Sequence, residues 1–195
     1  LRGFHRPEAL AKMLNKGLES AFEWLEANPV EDTHGFLWNN QKGAIAGDSE
    51  QKGIEQGLRE GKRKLLVQMA TGTGKTWMAA AEIHRLLKSG LVNRVLFIAD
   101  RTNLAKQAER AFNNFDAGGG LGLGEIYEGD RGENGEYPDK AEIVVSTLQS
   151  MYSLLENHDE IKIPQDAFDL VITGEVQRSI YGEWKVVLSH FDSYQ

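Results

Sequence analysis

Behind a Pro7-Glu8 start, apolar residues recur at helical spacing: Leu10, Met13, Leu14, Leu18, Ala21, Phe22 and Leu25, until Asn28-Pro29 halts the pattern. The spacing predicts an N-terminal helix that carries no reactive groups. From Gln41 to Gly61 the apolar positions thin to Ala44, Ile45, Ile54 and Leu58, and four glycines (Gly43, Gly47, Gly53, Gly57) weaken the pattern, but the stretch still reads as helical. Beyond Leu65 the period changes. Short apolar runs at Leu65–Met69, Arg94–Asp100, Glu142–Ser146 and Phe168–Thr173 read as buried strands. Helical patterns separate them, one from Trp77 to Ile83, another with Leu104, Ala108 and Phe112 on one face, and a third opened by a capping box of Ser146 and Gln149. Strands alternating with helices predict an α/β domain, a mostly parallel sheet with crossover helices.

Two glycine-rich stretches are connections in this reading. Residues 117–124 follow a helical pattern, and Glu125 stands where a dinucleotide loop begun at Gly120 needs its last glycine. Residues 128–140 are charged and read as an exposed loop.

The chemistry concentrates in Ala70-Thr71-Gly72-Thr73-Gly74-Lys75-Thr76, between the first apolar run and the helix that follows. Glycines there let successive N–H groups turn toward one anion, and the helix start adds the positive end of its dipole. Lys75 is placed to reach the β- and γ-phosphates of a nucleotide and the Thr76 hydroxyl to ligate Mg²⁺.

Composition narrows the classes. The 195 residues are 41% hydrophobic and 26% charged, ordinary for a folded domain with room for one core and an extra helix or two. The absence of cysteine excludes disulfides and thiolate metal sites. No apolar run reaches membrane-spanning length. A net charge of −7 argues against a domain that coats nucleic acid by itself, leaving local patches such as Lys62-Arg63-Lys64. His5, His34, His84, His158 and His190 show no metal-ligand spacing, so packing or surface roles are expected.

Four strings taken together resemble the motor of superfamily 2 helicases: Gln68 to Thr76, Ala99 to Ala108, Val144 to Tyr152 and Arg178 to Trp184. More narrowly they resemble the restriction (R) subunit of type I restriction-modification enzymes. The resemblance implies a three-layer, RecA-like P-loop NTPase lobe over 37–195, the first of two motor lobes, preceded by a helical linker over 1–36. It implies ATP and Mg²⁺ as cofactors, held by Thr71, Gly72, Thr73, Gly74, Lys75 and Thr76, with Gln41 reading the adenine. Lys75, Glu175 and Gln177 become the catalytic residues, and Arg101 and Thr147 the contacts to the DNA backbone. The partners implied are double-stranded DNA and the methyltransferase and specificity subunits, in a bacterial or archaeal cytoplasm. Pro164, Asp166, Glu183 and Lys185 mimic a nuclease pattern, but Glu183 and Lys185 lie in or beside the motor strings, and the family's nuclease lies upstream of the motor.

One position departs from the family. Where it has Asp-Glu, a small residue and then His or Gln, this chain has Gly174-Glu175-Val176-Gln177. The Asp holds Mg²⁺ and the Glu polarises the attacking water. Asp169 lies about 16 Å back along an extended chain at about 3.3 Å per residue, too far to substitute. Impaired hydrolysis with surviving nucleotide binding is expected. Two alternatives stay open: a non-catalytic nucleotide-binding interaction module, and a related type III restriction or RNA helicase motor.

Overall fold

The structure is a computed structural model and describes residues 7–116, 123, 129–130, 141–156, 163–174 and 181–195. Four strands, β1 (Val95–Ala99), β2 (Gly129–Asp130), β3 (Ile143–Thr147) and β4 (Leu170–Thr173), form a parallel sheet in the order β2-β3-β1-β4. Val95 lies opposite Ile143 on one side and Leu170 on the other. All five residues of β1 are buried, as a central strand covered on both faces requires.

Alternation along the strands sends successive side chains into two separate cores. Val95, Phe97, Val145 and Leu170 meet α1 (Pro7–Ala27), α5 (Lys75–Ser89) and α6 (Thr102–Asn113) through Ala21, Leu25, Ile83, Leu86, Ala108 and Phe112. Leu96, Ile98, Val144 and Val171 meet α7 (Leu148–Glu156) and α8 (Tyr181–His190) through Met151, Leu154, Trp184 and Val187. The result is the expected three-layer α/β arrangement, with α1 as a helix packed against α5.

Several local expectations are corrected. Residues 41–61 do not make one helix. They make α3 (Asn39–Ala46) and α4 (Ile54–Arg59), separated by a turn in which Gly47 has φ +90° and bridges Lys52; α2 (Val30–Thr33) precedes them. Gly53 is obligatory there, since a Cβ would stand 2.2 Å from the Gly47 nitrogen. Gly129 and Asp130 belong to the sheet, pairing with Ile143 and Val144 where a loop is expected. The cap of α7 is Thr147, whose hydroxyl accepts from the Ser150 N–H at 3.2 Å, one residue later than the Ser146 box places it. On α6 the buried face is Ala105, Ala108 and Phe112, with Leu104 exposed. The remaining stretches, 117–122 and most of 128–140, lie outside the described residues.

Leu65–Met69 is the largest departure, because it forms no ladder. Its period-2 pattern is intact: Leu65, Val67 and Met69 pack on the α5 side of the core, while Leu66 is 96% exposed. What is missing is a neighbour, since pairing reaches only the Leu65 N–H, which donates to Gln195 O at 2.6 Å.

Candidate phosphate-binding site

Residues 70–76 turn the chain from that extended segment into α5. Gly72 and Gly74 hold φ of +79° and +73°, the left-handed region that favours glycine. The Thr73 hydroxyl braces the turn by donating to Ala70 O at 2.7 Å. Within α5 the first main-chain bond is Met78 N–H to Gly74 O at 3.0 Å, so the amides of Lys75, Thr76 and Trp77 have no helical acceptor and face the loop. The Lys75 ammonium bends back over the loop and donates to Met69 O at 3.1 Å and Ala70 O at 3.3 Å. A cation and a fan of amides therefore share one concavity, which suits an anionic phosphate chain.

Gln41 is brought to this loop from α3, 95% removed from solvent. Its Oε1 accepts from Trp38 N–H at 2.8 Å, and its Nε2 donates to Thr73 O and Gly74 O, both at 3.1 Å. Both amide hydrogens are committed, and one Oε1 lone pair is left. The pairing explains the second glycine independently of φ: a Cβ at Gly74 would stand 2.4 Å from Gln41 Nε2.

Lys75, Thr76, Asp100 and Gly174 all line one cavity at the carboxyl edge of the sheet. Gly174 follows β4, and a Cβ there would meet Phe97 Cζ at 3.6 Å, ordinary contact with space to spare. Asp169 sits at the opposite end of β4, where its Oδ2 accepts from Asn93 N–H at 2.7 Å and Arg94 N–H at 3.1 Å. Its carboxylate is thus engaged at the far end of the strand and does not replace the missing one at Gly174, as the spacing predicts. Asp100, a residue to which sequence reasoning gives no role, shares the cavity with Thr76, as does the Glu82 carboxyl, and the Asp100 side chain is nearly buried. Glu175 and Gln177 lie outside the described residues. Arg101 precedes α6 with an exposed side chain whose Nε lies 3.3 Å from Asp100 Oδ2. Thr147 ends β3 opposite Ala99, so both candidate DNA contacts stand at the same sheet edge. In the Lys62-Arg63-Lys64 patch, two cations are paired, Lys62 with Glu60 at 3.1 Å and Arg63 with Asp192 at 2.7 Å.

Spacing alone also hides a buried polar junction behind the loop. Arg85, fully buried on α5, donates to Glu55 Oε1 at 2.6 Å, Asn28 O at 2.6 Å, Thr33 Oγ1 at 2.8 Å and Leu25 O at 3.3 Å. Beside it, His34 Nε2 lies 3.1 Å from His84 Nδ1, with Phe36 and Phe115 in edge and stacked contact with His34. Burial, then the charge of His84, then Arg85 push His34 down to about 4. Burial, then Lys88 and Arg85, bring His84 to about 4. Fifty residues separate the two rings, so no local spacing could announce the pair. Among the described residues no cluster of metal-binding side chains occurs, and no helix is long and apolar enough to cross a membrane.

A parallel sheet beside a Gly-Thr-Gly-Lys-Thr loop that opens a long helix, with a glutamine clasping that loop, defines a P-loop domain of the helicase type. The chain belongs to the restriction-enzyme family described as type III restriction enzyme, res subunit, whose model matches residues 36–195. It is 31% identical over 176 residues to the type I restriction enzyme EcoKI endonuclease subunit of Escherichia coli strain K12, covering 90% of this chain and 14% of that protein. It is 32% identical over 143 residues to the EcoAI endonuclease subunit of Escherichia coli, covering 71% of this chain and 16% of that one. A similar subunit from Staphylococcus saprophyticus is 28% identical over 136 residues, covering 64% and 13%. The chain thus spans about a seventh of the length of these relatives.

Proposed function

We propose that this chain is the ATP-binding lobe of a DNA-translocating motor in the endonuclease subunit of a type I restriction enzyme, acting in the cytoplasm with methyltransferase and specificity subunits. One observation carries the reading: two left-handed glycines deliver the amides of α5 and the Lys75 ammonium to one concavity. Phosphate oxygens would take the amides of Gly72 to Thr76. Lys75, held now by two neutral carbonyls, gains a charged acceptor when it turns to the β- and γ-oxygens, a stronger class of bond. The free lone pair of Gln41 can accept an adenine amino hydrogen while its Nε2 keeps hold of the loop, so base and phosphate recognition share one side chain.

Thr76 would supply a hydroxyl ligand to Mg²⁺, whose chemistry when bound is to neutralise charge developing between the β- and γ-phosphates. The residues fit the nucleotide better than the metal, because Gly174 contributes no carboxylate to the cavity. Glu175 would polarise the attacking water, with Gln177 assisting. Arg101 and Thr147 would meet the DNA backbone at the edge they share.

Calorimetry with Mg-ATP tests the reading. Saturable heat is expected for this chain, with at least about a tenfold loss of affinity for Lys75→Ala, the scale of one charged hydrogen-bonding partner. No heat from the unaltered chain, or none lost on Lys75→Ala, overturns it. Gly174 also favours a second reading, a nucleotide-binding module without turnover; ATP binding without DNA-stimulated hydrolysis in the full-length subunit would select it.

A further inference from the structure

Gln41 is held from two directions. It is the third residue of α3, and its Oε1 accepts from Trp38 N–H, the main-chain amide just ahead of that helix, at 2.8 Å. On the other side its Nε2 meets two carbonyls of the glycine-lysine turn, Thr73 O and Gly74 O, each at 3.1 Å. Both supports are themselves fixed. Leu37 and Ile45 anchor α3 and its approach in the core. The turn is braced by the Thr73 hydroxyl on Ala70 O and by Gly74 O, which also takes the first helical bond of α5 from Met78 N–H.

These bonds decide which way round the amide stands. Turned over, it would set Nε2 against the Trp38 N–H, donor against donor, and Oε1 against two carbonyls, acceptor against acceptor. In the orientation that satisfies all three partners, both Nε2 hydrogens enter the loop. Among the described residues the capacity left over is one lone pair on Oε1. A base can therefore be read here by giving a hydrogen to Gln41 and not by taking one. An exocyclic amino group gives one, whereas a keto oxygen in the same place sets a second acceptor against the first. A side-by-side reading of adenine, accepting from the amino group while donating to N7, needs a hydrogen that the loop already holds. Supplying it would draw a buried amide off the carbonyls it clasps, and the bond gained is of the same neutral class as the bond given up.

We propose that Gln41 reads the base through one hydrogen bond accepted from an exocyclic amino group and leaves N7 unread, so that the site selects nucleotides by that amino group. This selection rule rests on the reading of residues 70–76 as a nucleotide site and adds how the base is chosen there. The loop does not have to open for the base to enter, because the same amide clasps Thr73 and Gly74 before and after. An amino hydrogen on Oε1 also polarises the amide and strengthens the two Nε2 bonds, so the matching base tightens the turn that holds the phosphates.

The test is calorimetry of this chain with ATP, 7-deaza-ATP and inosine triphosphate, each with Mg²⁺. The 7-deaza compound keeps the amino group and lacks N7, and it should bind within about twofold of ATP. Inosine triphosphate keeps N7 and carries a keto oxygen, and it should bind at least about tenfold more weakly. Gln41→Leu, whatever its overall affinity, should narrow the ratio between ATP and inosine triphosphate to about twofold or less. A loss of about tenfold or more for 7-deaza-ATP while ATP still binds overturns the proposal and leaves the phosphate site standing. Full discrimination retained by Gln41→Leu does the same. No heat from any of the three nucleotides overturns the nucleotide site itself, and the selection rule with it.

Discussion

At the scale of single residues, the phosphate loop contains two glycines with nearly the same φ and different surroundings. A Cβ at Gly72 would meet nothing within 4 Å, whereas at Gly74 it would stand 2.4 Å from Gln41 Nε2. Gly72→Ala should therefore cost about 1 kcal/mol, the backbone penalty for a left-handed L-residue. Gly74→Ala carries that penalty and also expels the Gln41 amide from Thr73 O and Gly74 O, adding about 1–2 kcal/mol for a disrupted buried hydrogen-bonding group. Thermal or urea unfolding of the two variants checks the ordering, and equal losses would show that Gln41 contributes nothing to holding the loop. Removing Gln41 itself in the Gly74→Ala background should then cost little more, because its contact is already gone.

Among the elements, the buried His34–His84 contact joins the chain just after α2 to α5 and makes that joint sensitive to acid. Both rings are held near 4 against an ordinary value of 6.5, so they stay neutral in the folded chain while the unfolded chain takes up protons first. Stability contributed by the pair is complete above pH 6.5 and declines as pH falls from 6.5 to 4, then levels off. At 1.36 kcal/mol per pH unit the loss approaches about 3 kcal/mol for one ring. Glu55 and Glu82 work in the opposite direction, since burial raises both. Comparing the chain with a His34→Phe/His84→Phe double variant cancels those carboxyls. The stability difference between the two should shrink steadily below pH 6.5 and stay flat above it; a difference independent of pH would sink this account. The same elements show what patterning can and cannot reveal. β1, α5 and α6 were legible because their period repeats over a whole element and their core lies within the chain's own layers. The turn at Thr73, Gly74 and Lys75 was legible because left-handed backbone at a helix start requires glycine. Arg85 and the histidine pair were not, because their meaning comes from contacts 30 to 60 residues away in sequence. The Leu65–Met69 strand reads correctly as a pattern and fails as a ladder for want of a neighbour, since pairing belongs to two segments and sequence period to one.

At the scale of the whole molecule, the glycine-lysine loop shares its cavity with Gly174, a position that brings no carboxylate. The Gly174 backbone is not in the left-handed region, and the space around it admits a Cβ at ordinary contact distance. Gly174→Asp in the full-length subunit should thus fold normally and raise DNA-stimulated ATP hydrolysis by on the order of a hundredfold or more, the size of a single electrostatic group aimed at a transition state. An unchanged rate would mean that Asp100 or another group already provides the missing charge. The architecture also sets what any nucleotide-driven movement must do. Lys75 and Arg85 occupy the same helix ten residues apart, about 15 Å at 1.5 Å per residue. The second of them grips main-chain oxygens at the end of α1 and just past it. A rigid shift of α5 would therefore pull on the last turn of α1 through Arg85, since both ends of that lever are fixed to one helix.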